Sequence, residues 1–378
     1  MSATQNMPQA KTSTRDLGEI RQRLTAWMTK TLGPAAEPRI SDLRNPAGSG
    51  MSSETLLFDM TWKENGVERS GAFAGRMPPA SDAYPVFPKY DLELQANVMR
   101  LVGKHSAVKV PKVVWSESSP EPLGMPFFIM ERVEGMSVAD NPPYLFSGWL
   151  REARPEDQAK IQQQLIATVA ELHAIKTSDA DIAFLHSEFP GETPMRRLLA
   201  QNKAYYDWAR EDLRVPLIEQ LMAWLEDNWP ENEGKGDHVI SWGDARPGNM
   251  LWKNFEVQAV LDWEMATFGP RELDVAWIIY LHKYFQAIAV ANGFPTAPMP
   301  DFLRRDDVVS AYEKLTGYKV RDINWYLAFS LLRLTIPEIR FAKRAIHFGE
   351  RVADSDPHNY LRNRPLIQGI LQGQDVWA

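Results

Sequence analysis

The stretch Val239-Ile-Ser-Trp-Gly-Asp-Ala-Arg-Pro-Gly-Asn-Met-Leu251, followed by Ala259-Val-Leu-Asp-Trp-Glu264, constrains this chain more than any other feature. A short apolar run delivers Asp244 into a turn-rich loop, Asn249 follows five positions later, and a second apolar run delivers Asp262. Single Asp and Asn residues at strand ends are common, because their side chains hydrogen-bond their own backbone in turns. The joint order of Asp, Arg, Asn and a later strand-end Asp is far harder to obtain by turn chemistry.

The segments on either side differ in character. Leu17, Ile20, Leu24, Trp27 and Met28 have helical spacing. Thr55–Trp62 reads as a strand, Lys63–Gly66 as a hairpin turn and Val67–Arg76 as its return. Leu92–Val102 reads as a helix, and Val108–Trp115 and Pro126–Val133 as two further strands. Beyond Gly135 helices dominate: Ala159–Ile175, Pro194–Trp208, Val215–Trp229, Pro270–Phe285, Arg305–Thr316 and Trp325–Phe348. Short strand patterns there are confined to His238–Ser241, Met250–Trp252 and Val257–Leu261. The expectation is an α+β, two-lobed molecule: a disordered tail over 1–14, a β-rich lobe over 15–133 and a larger helical lobe over 134–378. For 378 residues, two such units are the ordinary outcome.

The spacing of Asp244, Asn249 and Asp262 matches a phosphoryl-transfer site, where one Asp orients the acceptor hydroxyl and the Asn and second Asp hold Mg2+. Such chemistry depends on in-line positioning and on neutralising phosphate charge. Mg2+ prefers hard oxygen ligands, which an amide oxygen and a carboxylate supply. Arg246 can bring a fixed positive charge to the transferring phosphate, and Pro247-Gly248 turns Asn249 back towards the metal.

Gly243 to Asn249, with Asp262-Trp-Glu264 and Gly269-Pro-Arg-Glu-Leu-Asp274, resembles the aminoglycoside phosphotransferase-like kinases of protein-kinase-like fold. The branch it most resembles includes bacterial aminoglycoside phosphotransferase homologues and kinase domains fused to acyl-CoA dehydrogenases. The likeness runs from about Ile40 to Phe285. It implies ATP and Mg2+ as cofactors, Asp244 as catalytic base, Asn249 and Asp262 as metal ligands, and Asp274 as buried anchor of the catalytic loop. The family usually has His before the Gly-Asp pair; here Trp242 stands there and is expected to pack in its place. His173 matches a further family landmark and reads as a structural histidine.

In the first lobe, Gly48-Ser49-Gly50-Met51-Ser52-Ser53 sits where a phosphate-covering loop belongs, its N–H groups able to face phosphates. The lysine that normally pairs the phosphates is absent from the following strand, and Arg76 takes its place, with a permanent charge and a bidentate grip. Its acidic partner is ambiguous between Glu93 and the position of Gln95. Phe127–Gly135 resembles the hinge, with Met130, Glu131 and Val133 reading adenine. On the acceptor side, Trp263 and Glu264 follow the metal Asp, and Tyr205, Tyr206 and Trp208 form an aromatic group. Asp207, Glu211 and Asp212 are candidates for a cation-attracting rim.

The chain has no cysteine, which excludes disulfides, thiolate catalysis and Cys-ligated zinc. A net charge of -7 argues against nucleic-acid binding. No apolar run approaches the ~20 residues that span a bilayer, so a cytoplasmic protein without membrane contact is expected. The expected partner is a small molecule with a hydroxyl group. An aminoglycoside and a hydroxy acid or hydroxyacyl-CoA both stay open, as does a nucleotide-binding pseudokinase.

Overall fold

The computed structural model describes residues 15–46, 53–80, 82–231, 233 and 236–377; the expected tail over 1–14 lies outside them. Helix α1 (Leu17–Leu32) begins where the Asp16 carboxylate accepts the Gly18 and Glu19 N–H groups at 2.7 and 3.2 Å. After it come β1 (Arg39–Ile40), β2 (Glu54–Glu64), β3 (Val67–Met77), α2 (Leu92–His105), β4 (Val113–Glu117) and β5 (Phe127–Glu131). The strands form an antiparallel sheet in the order β1-β2-β3-β5-β4.

The turn of the β2–β3 hairpin is only Asn65-Gly66, with φ of 51° and 79°. That left-handed pair suits the twist of a hairpin, so β2 runs two residues further towards the tip than the sequence pattern indicates, whereas β3 starts at Val67 as expected. The fourth strand is shorter than expected: it starts at Val113 rather than Val108. Pro111 lacks the N–H that would continue the ladder.

Alternation places the two sheet faces against different helices. Leu56, Phe58, Met60, Phe127 and Ile129 pack on Ile20, Leu24 and Met28 of α1. Phe128 and Met130 turn the other way, towards Leu92, Ala96 and Met99 of α2, and that core is continuous with the core of the second lobe.

The second lobe contains α3 (Trp149–Glu152), α4 (Pro155–His173), α5 (Asp179–Ile182), α6 (Pro194–Arg210) and α7 (Pro216–Asp227). Strands β6 (His238–Ser241), β7 (Met250–Lys253), β8 (Glu256–Val260) and β9 (Thr267–Pro270) follow, then α8 (Glu272–Ala291), α9 (Arg305–Thr316), α10 (Ile323–His347) and α11 (Arg364–Leu371). Strand β7 pairs with β8 as a hairpin, whereas β6 pairs with β9. The sequence reading missed β9 and gave Pro270 to a helix. Pro270 instead ends the ladder opposite His238, and the helix starts at Glu272. Helix α8 is buried nearly all round and packs on α10, giving the strands a rigid floor. Among the described residues no helix is long and apolar enough to cross a membrane.

Candidate active site

The loop between β6 and β7 is clasped from below by one carboxylate. Asp274, fully buried in the first turn of α8, accepts from Ser241 Oγ at 2.9 Å and from the N–H groups of Trp242 and Gly243, both at 2.8 Å. His173 Nε2 donates to it at 3.0 Å, and Tyr312 donates to His173 Nδ1 at 2.7 Å. Burial raises the Asp274 carboxyl, but the donation from His173, Gly243 and Trp242 outweighs it and holds the group below its ordinary range. Gly243 has φ of +83°, and a Cβ there would lie 2.0 Å from the Met265 carbonyl oxygen, so no other residue fits the turn.

Above this clasp stands Asp244. Arg246 Nε donates to both of its oxygens at 3.0 Å, Asn249 Nδ2 donates to Oδ2 at 2.6 Å, and Trp277 Nε1 donates to Oδ1 at 2.6 Å. Arg246 also pairs with Asp140. Burial pulls the Arg246 guanidinium down, yet Asp140, Asp244 and Asp262 overcome this and leave it above its ordinary value. Arg246 is therefore fixed between two carboxylates, one of them on the loop that enters the second lobe.

Because Asn249 spends its amide nitrogen on Asp244, its side-chain oxygen is directed away from that carboxylate. The Asn249 carbonyl accepts the Leu261 N–H at 2.8 Å, which brings the end of β8, and Asp262 with it, alongside Asn249. Asp262 has φ of 59°, a left-handed conformation that costs a non-glycine residue energy and is typical of functional positions. Trp242 supports this strand end, donating Nε1 to the carbonyls of Leu261 and Asp262 at 2.9 and 3.2 Å. It is fully buried.

Arg76 on β3 reaches over the cleft to Asp262, with Nη2–Oδ1 of 3.1 Å, and lies 4.0 Å from Glu264. Neither candidate on α2 partners it: Glu93 is exposed, and Gln95 is buried with an Nε2 that has no hydrogen-bond partner among the described residues. Of the phosphate-loop residues, Gly48 to Ser52 lie outside the described residues. Ser53 is buried and donates to Glu264 at 3.3 Å. At the hinge, the Glu131 N–H is taken by the Lys112 carbonyl at 2.9 Å. Val133 follows half-buried, whereas the Met130 side chain belongs to the α2-side core.

Several expected acceptor contacts are corrected. Trp263 is buried against Trp242, donating to the Val260 carbonyl at 3.2 Å, and cannot reach an acceptor. Tyr206 is also a core residue, its hydroxyl shared among Val215 and Glu219. An aromatic directly after a strand-end Asp packs inward when the chain reverses there, as it does at Asp262. Tyr205 is only half-buried; its hydroxyl donates to the Val86 carbonyl at 2.8 Å and its ring meets Phe87 and Trp208. Burial pushes that hydroxyl well up, Tyr90 and Glu264 add to the effect, and Arg340 opposes it. The acidic rim is spent internally: Glu211 pairs with Arg340 and Lys343, and Asp207 with Arg210.

Three residues at the centre escaped the sequence reading: Asp140, Trp277 and Arg333. Arg333 of α10 donates to the Gly243 carbonyl at 3.2 Å and lies 4.8 Å over the Trp277 ring. Burial lowers its guanidinium to about 10, so it stays charged at neutral pH. Trp277 carried a usable signal, since it lies three residues after Asp274 and thus on the same helical face. Asp140 and Arg333 come from segments without a motif.

Residues 83–317 match the model of the phosphotransferase enzyme family. The chain is 28% identical over 301 residues to the protein named probable acyl-CoA dehydrogenase IBR3 of Arabidopsis thaliana, covering 76% of this chain and 34% of that protein. It is 26% identical over 295 residues to acyl-CoA dehydrogenase family member 11 of Rattus norvegicus, with the same two shares of 76% and 34%. The chain thus spans about a third of the length of these relatives. Its fold resembles that of a "putative aminoglycoside phosphotransferase" of Ralstonia eutropha, with a TM-score of 0.62 at 21% identity over 93% of this chain and 97% of that one. Aminoglycoside phosphotransferase APH(2'')-Ib, solved with ADP, gives a TM-score of 0.53 at 13% identity over 94% and 97% of the two chains. The bilobal protein-kinase-like architecture is common to all three structures. By the extent of the family match, this chain belongs to the phosphotransferase enzyme family.

Proposed function

We propose that the chain transfers the γ-phosphate of Mg-ATP to a hydroxyl of a small molecule. One observation carries this reading: Asp244, Asn249 and Asp262 converge below a cleft that Arg76 crosses from the other lobe. The donor set fits a divalent cation. An amide oxygen and a carboxylate are hard ligands, and Asp262 already attracts a cationic group, the Arg76 guanidinium, to its Oδ1. Asn249 and Asp262 would hold Mg2+, which would supply charge neutralisation on the phosphate oxygens. Arg76 would grip the phosphates, and the hinge carbonyl of Glu131 with the Val133 backbone would meet the adenine.

Asp244 then orients the acceptor hydroxyl. As its oxygen bonds to the γ-phosphorus, the bond from that phosphorus to the ADP oxygen breaks, and the hydroxyl proton passes to the Asp244 carboxylate. Four donated hydrogen bonds keep this carboxylate in one orientation. Arg246, held between Asp140 and Asp244, keeps positive charge beside the transfer path.

The acceptor classes in view are an aminoglycoside and a hydroxy acid or hydroxyacyl-CoA. Charge on this side does not separate them, since Glu211 is paired with Arg340 and Lys343 of α10 and Asp207 with Arg210. The test is ADP release from Mg-ATP across aminoglycosides, amino alcohols, hydroxy acids and hydroxyacyl-CoAs, with Asp262→Ala as control. Turnover with one class that the variant loses supports the reading and names the acceptor. ATP binding with no turnover across every class points instead to a nucleotide-binding module.

A further inference from the structure

An ionised carboxylate accepts hydrogen bonds at about four positions, shared between its two oxygens. In Asp244 the protein fills them itself. Trp277 Nε1 and Asn249 Nδ2 each hold one oxygen at 2.6 Å, and Arg246 Nε lies between the two, at 3.0 Å from both. An acceptor hydroxyl that is to pass its proton to Asp244 must therefore displace one of these donors. Trp277 is buried, and its indole N–H has no other acceptor among the described residues, so releasing it strands a buried donor. Asn249 is buried too, and a second donation, to the Asp244 carbonyl at 3.1 Å, keeps its amide in place. Arg246 makes the longest contacts to the carboxylate and spreads a single N–H over both oxygens.

Arg246 also has a second carboxylate, Asp140, paired with its Nη1. The fold builds that pairing in. Asp140 lies on the segment entering the second lobe, which is fastened on either side of it. Met136 exchanges backbone hydrogen bonds with Trp252 of β7 at 2.8 and 2.9 Å, and the Tyr144 hydroxyl donates to His282 of α8 at 2.6 Å. The Asp140 carboxylate rests on the catalytic loop, where a Cβ on Gly248 would lie 2.7 and 2.8 Å from its two oxygens. Arg246 and Asp244 are only 19% and 13% exposed, so an unpaired guanidinium there is costly. We infer that Asp140 is a positioning residue that keeps the Arg246 guanidinium while the acceptor hydroxyl takes the place of its Nε on Asp244. Displaced from one carboxylate, the guanidinium stays paired with the other, and the base is freed without stranding a charge. The inference rests on the role proposed above for Asp244. It makes the ligand-free arrangement of Asp244 a capped one, and it gives the segment between the lobes a part in the transfer step.

ADP release from Mg-ATP tests it on the full chain, with water as the acceptor and with the acceptor class that the panel above identifies. Water, like any other hydroxyl, gains Asp244 only after Arg246 yields. Asp140→Asn keeps the shape of the side chain and removes its charge, which leaves Arg246 committed to Asp244. Its kcat falls about tenfold, the ordinary loss for a charge-assisted contact, and the KM of the acceptor rises. Affinity for a non-hydrolysable ATP analogue stays within about twofold of the wild type. Added to Arg246→Ala, Asp140→Asn lowers kcat no further, because Asp140 acts through Arg246. Wild-type kcat in Asp140→Asn, or losses that multiply in the double variant, overturns the inference while leaving the kinase reading intact. A loss of analogue affinity as large as the loss of kcat makes Asp140 a structural residue only, and overturns it as well. A wild-type chain that binds the analogue yet releases no ADP with water or with any acceptor class removes the kinase reading, and this inference with it.

Discussion

At the scale of single residues, the chemistry depends on how firmly Asp244 is held. Trp277 contributes one of its shortest contacts, 2.6 Å to Oδ1, from a helix that carries no loop of its own into the cleft. Trp277→Phe keeps most of the ring that Arg333 covers and removes only the N–H. We expect kcat to fall about tenfold or more with little change in Tm, since a hydrogen bond to a charged group is worth ~1.5–3 kcal/mol. Equal losses in kcat and thermal stability would make Trp277 a packing residue only. Asp274 behaves in the opposite way: it touches no substrate but satisfies four donors. Asp274→Ala leaves those donors buried and unpaired, and urea unfolding should show a loss of about 3–5 kcal/mol. The motif residues Asp244, Asn249, Asp262 and Asp274 were legible because each has a fixed spacing from the others along the chain. Asp140 and Arg333 were not, because they reach the centre through tertiary packing from segments far away in sequence.

At the scale of elements, α10 joins the site to the C-terminal segment. Glu338, buried in its middle, accepts from Tyr284 of α8 at 2.6 Å and from the Arg362 N–H at 3.1 Å. Burial raises its carboxyl to about 7, against the opposing pull of Tyr284 and Arg362. An unfolded chain releases this proton near 4.5, so between 4.5 and 7 the native state binds more protons than the unfolded state. The resulting stability is complete below about 4.5 and is lost as pH climbs through about 7, by roughly 3 kcal/mol. Glu338→Gln should flatten this part of the stability–pH curve in denaturant titrations; an unchanged slope would contradict the assignment. Helices were readable as elements because their apolar spacing is long and regular: α9 was placed without error, and α6 to within two residues. Strand β9 escaped because four residues containing Gly269 and Pro270 carry no alternation, and its pairing with β6 is fixed by the Asp274 clasp rather than by its own sequence.

For the whole molecule, the two sheet faces of the first lobe have different allegiances. The α1 face forms its own cluster, whereas the α2 face shares one core with the helical lobe. The lobes should therefore unfold together, with far-UV circular dichroism and tryptophan fluorescence tracing coincident transitions; two separated transitions would contradict a shared core. Acceptor identity is the part least written in the chain. The aromatic and acidic residues singled out from sequence turned largely to packing and internal ion pairs, since their spacing says nothing about which way each side chain faces. The central claim, that Asp244 serves phosphoryl transfer to a hydroxyl, is tested most directly with Asp244→Asn. ADP release with the acceptor that the wild-type chain uses, measured beside nucleotide affinity, should fall by about 10²–10⁴-fold in kcat with affinity unchanged. Full turnover by Asp244→Asn would contradict it.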